Sequence, residues 1–143
     1  MKQLAELNKE QTIQVIGEKF MQRNEVEAAY LFGSFPNEEV YNDIDILVLF
    51  NPYYYSQFSD FELVHLLSET LNIQSDKIDL IPFDQTKVSP LILYRAIDEG
   101  ILIKDTKSAL LGDQIEALSQ FFLENEPCLH YRNMYLKELY AND

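Results

Sequence analysis

The stretch YLFGSFPNEEVYNDIDILVLF, residues 30–50, sets two aspartates, Asp43 and Asp45, into a run of strand-forming apolar residues, with Gly33-Ser34 just upstream. A charge buried without a partner is costly, so an ion or a cationic group is expected nearby. Side chains alternate faces along a strand. Asp43 and Asp45 therefore point one way, and Ile44, Ile46 and Val48 point the other way, into the core. Asp43 is expected at the strand entrance, within reach of solvent or ligand. Two like charges this close repel, and one pKa rises sharply unless a cation neutralises them. Mg²⁺ suits the role: it takes oxygen ligands, keeps several waters, and is often shared between carboxylates and substrate phosphates.

Gly33-Ser34 supplies the phosphate half of such a site. A glycine at a strand end lets a backbone N–H approach an anion closely. The serine hydroxyl can donate to a phosphate oxygen. A third acid, Asp79, lies in KIDLI (77–81), flanked by Ile78 and Leu80, and is equally out of place in a core. If its strand neighbours the first pair, three carboxylates converge. Such a set can hold two metals roughly 4 Å apart and support in-line displacement at phosphorus. One metal would hold a triphosphate and the other would acidify an attacking hydroxyl. Asp79 would then be placed to accept that hydroxyl's proton.

Outward from this segment, Asn8 and Gln11 form a capping box, opening a helix with Ile13, Ile16, Phe20 and Met21 at helical spacing and an end near Asn24. Residues 28–32 read as a short buried strand and 44–50 as a second. NPYYYSQ (51–57) is a loop started by Asn-Pro. Ser59 and Glu62 predict a second capping box, before Phe61, Val64, Leu67 and Leu71. KIDLIP (77–82) reads as a third strand. Pro90 at a first helical position and Gly100 at a stop bound a helix over 89–99. ILIK (101–104) is a fourth strand. A long amphipathic helix follows from about Ser108, and Pro127 breaks it before a last helical piece, CLHYRNMYLKELY. The order α-β-β-α-β-α-β-α(α) predicts an α/β or α+β fold with a small mixed sheet.

The chain has 143 residues, 47% hydrophobic and 24% charged, which fits one domain with a real core. The net charge of −13 repels nucleic-acid phosphates and suits a basic protein partner or a site that gathers cations. The one cysteine, Cys128, rules out a disulfide within the chain and a cysteine zinc cluster, and a cytoplasmic setting follows as the default. The N-terminus lacks the apolar region of a signal peptide, and no apolar run reaches the length of a membrane span. His65 and His130 are read as packing or surface residues. Tyr53-Tyr54-Tyr55 reads equally as loop packing or as part of a partner-binding surface, where tyrosine is enriched.

Gly33-Ser34, then Asp43-Ile-Asp45, then a strand acid at Asp79 resemble the DNA polymerase β-like nucleotidyltransferase superfamily. More narrowly they resemble its minimal nucleotidyltransferase (MNT) proteins. SPLILYRAIDEGILIKD (89–105) is also similar to a segment of that family. The resemblance covers about residues 10–105, with a C-terminal helical segment over about 108–140, in a single nucleotidyltransferase domain over 1–143. The spacer FPNEEVYN departs from the family pattern: it has eight residues instead of about ten, and no arginine follows the serine. Lys77, Lys87 and Arg95 are the substitutes on offer.

The resemblance implies an antitoxin that transfers AMP from ATP, with Mg²⁺, onto a tyrosine of a cognate HEPN-domain RNase toxin. It implies metal binding and catalysis at Asp43, Asp45 and Asp79, and nucleotide binding at Gly33 and Ser34. The toxin's Arg-x4-His-x-Tyr motif is missing from this chain, which fits the antitoxin half. A binding-only antitoxin and a transferase with another acceptor are the alternatives left open.

Overall fold

The structure, a computed structural model, describes residues 2–37 and 41–125. Helix α1 spans Lys9–Met21 and is capped as its sequence predicts: the Asn8 side chain accepts from the Gln11 N–H at 2.9 Å. Strand β1 (Val26–Phe32) leads through Gly33 into a single-turn helix α2 (Ser34–Asn37). Then come β2 (Ile44–Phe50), α3 (Ser59–Leu71), β3 (Ile78–Pro82), α4 (Pro90–Glu99), β4 (Ile101–Asp105) and α5 (Ala109–Glu124). The last helical piece expected after Pro127 lies outside the described residues.

The four strands form one mixed sheet in the order β3-β2-β1-β4. β1 runs antiparallel to both β2 and β4, while β2 and β3 are parallel. The parallel pair needs a crossover, and α3 provides it. Alternation along the strands then builds two cores. On one face Ala29, Leu31, Ile44, Ile46 and Val48 pack against Ile16 and Phe20 of α1 and Leu63 and Leu67 of α3. On the other, Ala28, Tyr30, Leu47 and Leu49 pack against Leu93 and Ala96 of α4 and Leu111 and Leu118 of α5. The face of Asp45 is thus a second core for most of its length, and only its end is left for the acids.

Two local expectations are corrected. β1 begins at Val26 instead of residue 28, because the polar Glu27 is buried within it: its carboxylate accepts from Asn51 Nδ2, Thr106 Oγ1 and Ser108 Oγ at 2.6–2.7 Å. Ser59 does not cap α3. It sits inside the first turn, and its hydroxyl accepts from the Ser56 N–H at 3.0 Å, with Phe58 at the cap. The one-turn α2, too short to show a helical period, is assigned no element from the sequence. Among the described residues no helix is long and apolar enough to cross a membrane.

Candidate active site

The antiparallel β1–β2 pair and the parallel β2–β3 pair bring three strand termini to one end of the sheet. There Phe32, Asp45 and Asp79 stand in register in adjacent strands. Neighbouring strands lie roughly 4.8 Å apart, so Asp45 and Asp79 face each other directly, on the same side. The third sequence acid, Asp43, sits one residue ahead of β2 and is half-buried. Asp79 is exposed and Asp45 half-buried.

This crowding has an electrostatic consequence. Burial, followed by the charges of Asp79 and Asp43 and a hydrogen bond shared with Asp79, pushes the Asp45 carboxyl up to about 6. Asp45 thus carries the repulsion of both neighbouring acids. Among the described residues, no group of three or more His, Cys, Asp or Glu side chains is drawn close enough to hold a metal ion as it stands. The fit to a cation rests instead on the Asp45–Asp79 pair. Two ionised carboxylates face each other across a ladder, and an oxygen-seeking divalent cation offsets that repulsion.

Gly33 abuts the pair from β1. Its φ of +80° is open to glycine at little steric cost, and a Cβ there would meet Asp45 Oδ2 at 2.5 Å. Ser34 follows at the start of α2, half-buried. The structure thus brings Gly33, Asp45 and Asp79 together, with Asp43 and Ser34 on the flanking turns.

Residues that sequence reasoning did not single out hold this end in place. Phe35, directly after Ser34, is fully buried and meets Tyr41 edge-on at 4.7 Å, and Tyr41 Oη donates to Leu4 O at 2.9 Å. Lys9 Nζ lies 4.9 Å from the Tyr41 ring centroid. One phenylalanine inside a polar spacer was the only signal for this anchor. Gly100 does more than stop α4: a Cβ there would press on Leu31 O at 3.1 Å and Phe32 Cβ at 3.2 Å, the residues that lead into Gly33. Of the three cations offered as phosphate partners, Arg95 stands in an exposed pair with Glu99 at 3.7 Å, and Lys77 and Lys87 are exposed.

Comparison with known proteins identifies the family. The family model described as "Polymerase beta, Nucleotidyltransferase" matches residues 14–109, which include every site residue named above except Leu4 and Lys9. No curated protein matches the chain. Among solved structures, a toxin–antitoxin complex with AMP-PNP is similar at TM-score 0.55 and 21% identity, covering 87% of this chain and 97% of that one. The MNT antitoxin bound to a tri-AMPylated HEPN toxin from Shewanella oneidensis is similar at TM-score 0.52 and 20% identity, covering 82% and 96%. A third, an MntA toxin–antitoxin complex carrying two Asp→Glu substitutions two positions apart, reaches TM-score 0.56 at 19% identity, covering 87% and 97%. At these identities the likeness establishes a shared fold.

Proposed function

This chain belongs to the polymerase beta nucleotidyltransferase family, and from that premise we propose that it is an MNT-type antitoxin that transfers AMP from ATP to a tyrosine of a HEPN toxin. The observation that carries the reading is the in-register pair Asp45 and Asp79, coupled to Asp43 and abutted by Gly33. The solved relatives support the choice of reaction, since one holds an ATP analogue and another an AMPylated toxin. The pair of substituted aspartates in a third has the spacing of Asp43 and Asp45.

In this reading Asp43 and Asp45, with Asp79 beside them, hold Mg²⁺, which when bound neutralises the triphosphate and acidifies the attacking hydroxyl. Gly33 offers its N–H and Ser34 its hydroxyl to phosphate oxygens. The acceptor phenol oxygen attacks the α-phosphorus of ATP. The bond from that phosphorus to the α–β bridging oxygen breaks, pyrophosphate leaves, and Asp79 takes the phenolic proton. The whole chain acts as one nucleotidyltransferase domain in the cytoplasm beside its toxin.

Intact-mass spectrometry of the toxin after incubation with ATP and Mg²⁺ tests this. A gain of one or more AMP units on tyrosine is expected, and it disappears with Asp43→Asn/Asp45→Asn. Asp79→Asn lowers kcat by roughly 10²–10⁴-fold, the range of a lost general base. A second reading, neutralisation by binding alone, is favoured by the spacer, which lacks a phosphate-binding cation. Full neutralisation by the double variant, with no mass gain from the wild type, establishes that second reading instead.

A further inference from the structure

The end of the sheet opposite the acids carries a different feature. Tyr53, Tyr54, Phe58 and Phe61 are 52–86% exposed, and all lie on the loop after β2 or the first turn of α3. Six strand positions separate Asp45 from Asn51, roughly 20 Å at 3.4 Å each, so this surface is separate from the acid cluster.

The loop that displays these rings is pinned. Asn51 Oδ1 accepts from the Tyr53 N–H at 2.8 Å, and Asn51 O accepts from the Tyr54 and Tyr55 N–H groups at 3.1 and 3.0 Å. The Tyr55 ring packs on Phe50 at 4.7 Å and its hydroxyl donates to Asp60 at 3.2 Å, tying the loop to α3. Tyr53 and Tyr54 meet edge-on at 4.9 Å. Rigid aromatic side chains already fixed in place lose little entropy on binding, which is what tight interfaces exploit. Exposed rings scattered singly need no explanation, but four on one pinned nine-residue run do.

Charge selects the occupant. Residues 51–76 contain Asp60, Glu62, Glu69 and Asp76 and no lysine or arginine. Arg23, which reaches Glu62, is shared between Glu25 at 2.6 Å and Glu62 at 3.0 Å. A second copy brings the same net charge of −13 and is repelled. Helix α5 starts at this end, where Ser108 and Asn51 both donate to Glu27, and leads away from it. Aromatic rings beside carboxylates, on a segment with no lysine or arginine of its own, suit a partner surface rich in arginine and lysine, through cation–π and ion-pair contacts.

We infer that the Tyr53–Phe61 surface docks a basic, arginine-rich face of the protein partner, at a place separate from the site that modifies it. The inference rests on the antitoxin reading and deepens it: the partner is held at one end of the sheet and modified at the other.

The test pairs binding with chemistry. Calorimetry would compare the wild type and Tyr53→Ala/Phe61→Ala, both on an Asp43→Asn/Asp45→Asn background, for affinity to the HEPN toxin at low and high salt. The same aromatic substitutions in the active chain would be assayed for AMP transfer to a short tyrosine peptide. The expected result is an affinity at least tenfold weaker, a shallower salt dependence for Asp60→Asn/Glu69→Gln, and unchanged transfer to the peptide. Equal affinity of the aromatic variant and its parent overturns the docking surface and leaves the antitoxin reading intact. Failure of the parent itself to bind the toxin overturns both. A shift of the isolated chain from dimer to monomer on substitution, seen by sedimentation, assigns the surface to a second copy and overturns the partner named here.

Discussion

The carboxylate of Asp45 fills the space that a side chain at Gly33 would need: a Cβ there would lie 2.5 Å from Asp45 Oδ2. The glycine that follows β1 and the acid of β2 are therefore one steric unit, joined through the Phe32–Asp45 register. The backbone at Gly33 is also left-handed, with φ +80°.

Gly33→Ala is expected to fail on both counts. The left-handed backbone costs an alanine about 1 kcal/mol or more, and the new methyl must push the carboxylate away. Thermal melts should fall by several degrees, and AMP transfer should fall by two orders of magnitude or more, because the displaced group is the central acid. Transfer within tenfold of wild type would show that Asp45 does not need its present position.

Asp45→Asn should stabilise the metal-free protein at neutral pH while abolishing transfer. The folded carboxyl is raised from 3.8 to about 6, so the native state holds the proton more tightly than the unfolded chain. That contribution is fully present below pH 3.8 and is lost as pH rises through about 6. Above that, wild type bears the cost of ionising Asp45 beside Asp79, and asparagine does not. Discounted for partial exposure, the gain is about 1 kcal/mol, or roughly 4 °C in Tm. Melts of both proteins from pH 4 to 8 should converge toward pH 4, separate as pH rises from 4 to about 6, and keep a constant gap above that. Added Mg²⁺ should raise the wild-type Tm more than that of the variant.

The acids were legible because Asp43 and Asp45 interrupt a strand pattern and Asp79 interrupts another, and strand alternation places two of them on one face. The register that sets Asp45 against Asp79 depends on which strands pair, which local pattern does not state. Nor does it show that α4 and α5 cover the rest of that face. The buried polar contacts were hidden for the same reason. Glu27 meets Thr106 and Ser108, and Lys104 meets Phe20, across some eighty residues of sequence. Helix α1 was legible because Asn8 and its apolar period agree, whereas Ser59 offered a capping pattern that the Ser56 N–H had already taken.

Glu27 should control the acid limb of stability. Hydrogen bonds from Thr106, then Ser108 and Asn51, hold its carboxyl below the usual value of 4.5, with Lys104 adding to them against the cost of burial. Its stabilisation is therefore present above pH 4.5 and is lost as pH falls through the lower folded value. Glu27→Gln removes the charge from three donors and should cost about 1–3 kcal/mol at pH 7. Urea unfolding of the variant should lose part of the wild-type decline below pH 4.5. An unchanged acid limb would assign that decline to other carboxylates.

Lys104 provides the sharpest check of the second buried contact. Its side chain lies inside the fold, 6% exposed, and Nζ donates to Phe20 O at 2.7 Å and Arg23 O at 2.8 Å. Helix α1 ends at Met21, so these carbonyls belong to its last turn and the residues just after it, where Phe20 O also accepts from the Arg23 N–H at 3.0 Å and Arg23 O from the Val26 N–H at 3.2 Å. β4 thus caps α1 through one ammonium, with the helix dipole favouring the positive charge. Lys104→Met keeps the stem but removes the ammonium from both carbonyls, leaving each with its backbone N–H alone, and should cost about 1–3 kcal/mol. Lys104→Arg retains the charge but cannot fit its planar fork where a compact ammonium sits, so it should rescue only part of the loss. Hydrogen exchange should show the cost as faster opening at the end of α1 and along β4, with the amides of β3 least affected. Melting of either variant at the wild-type temperature would mean that water satisfies those carbonyls as well as the lysine does.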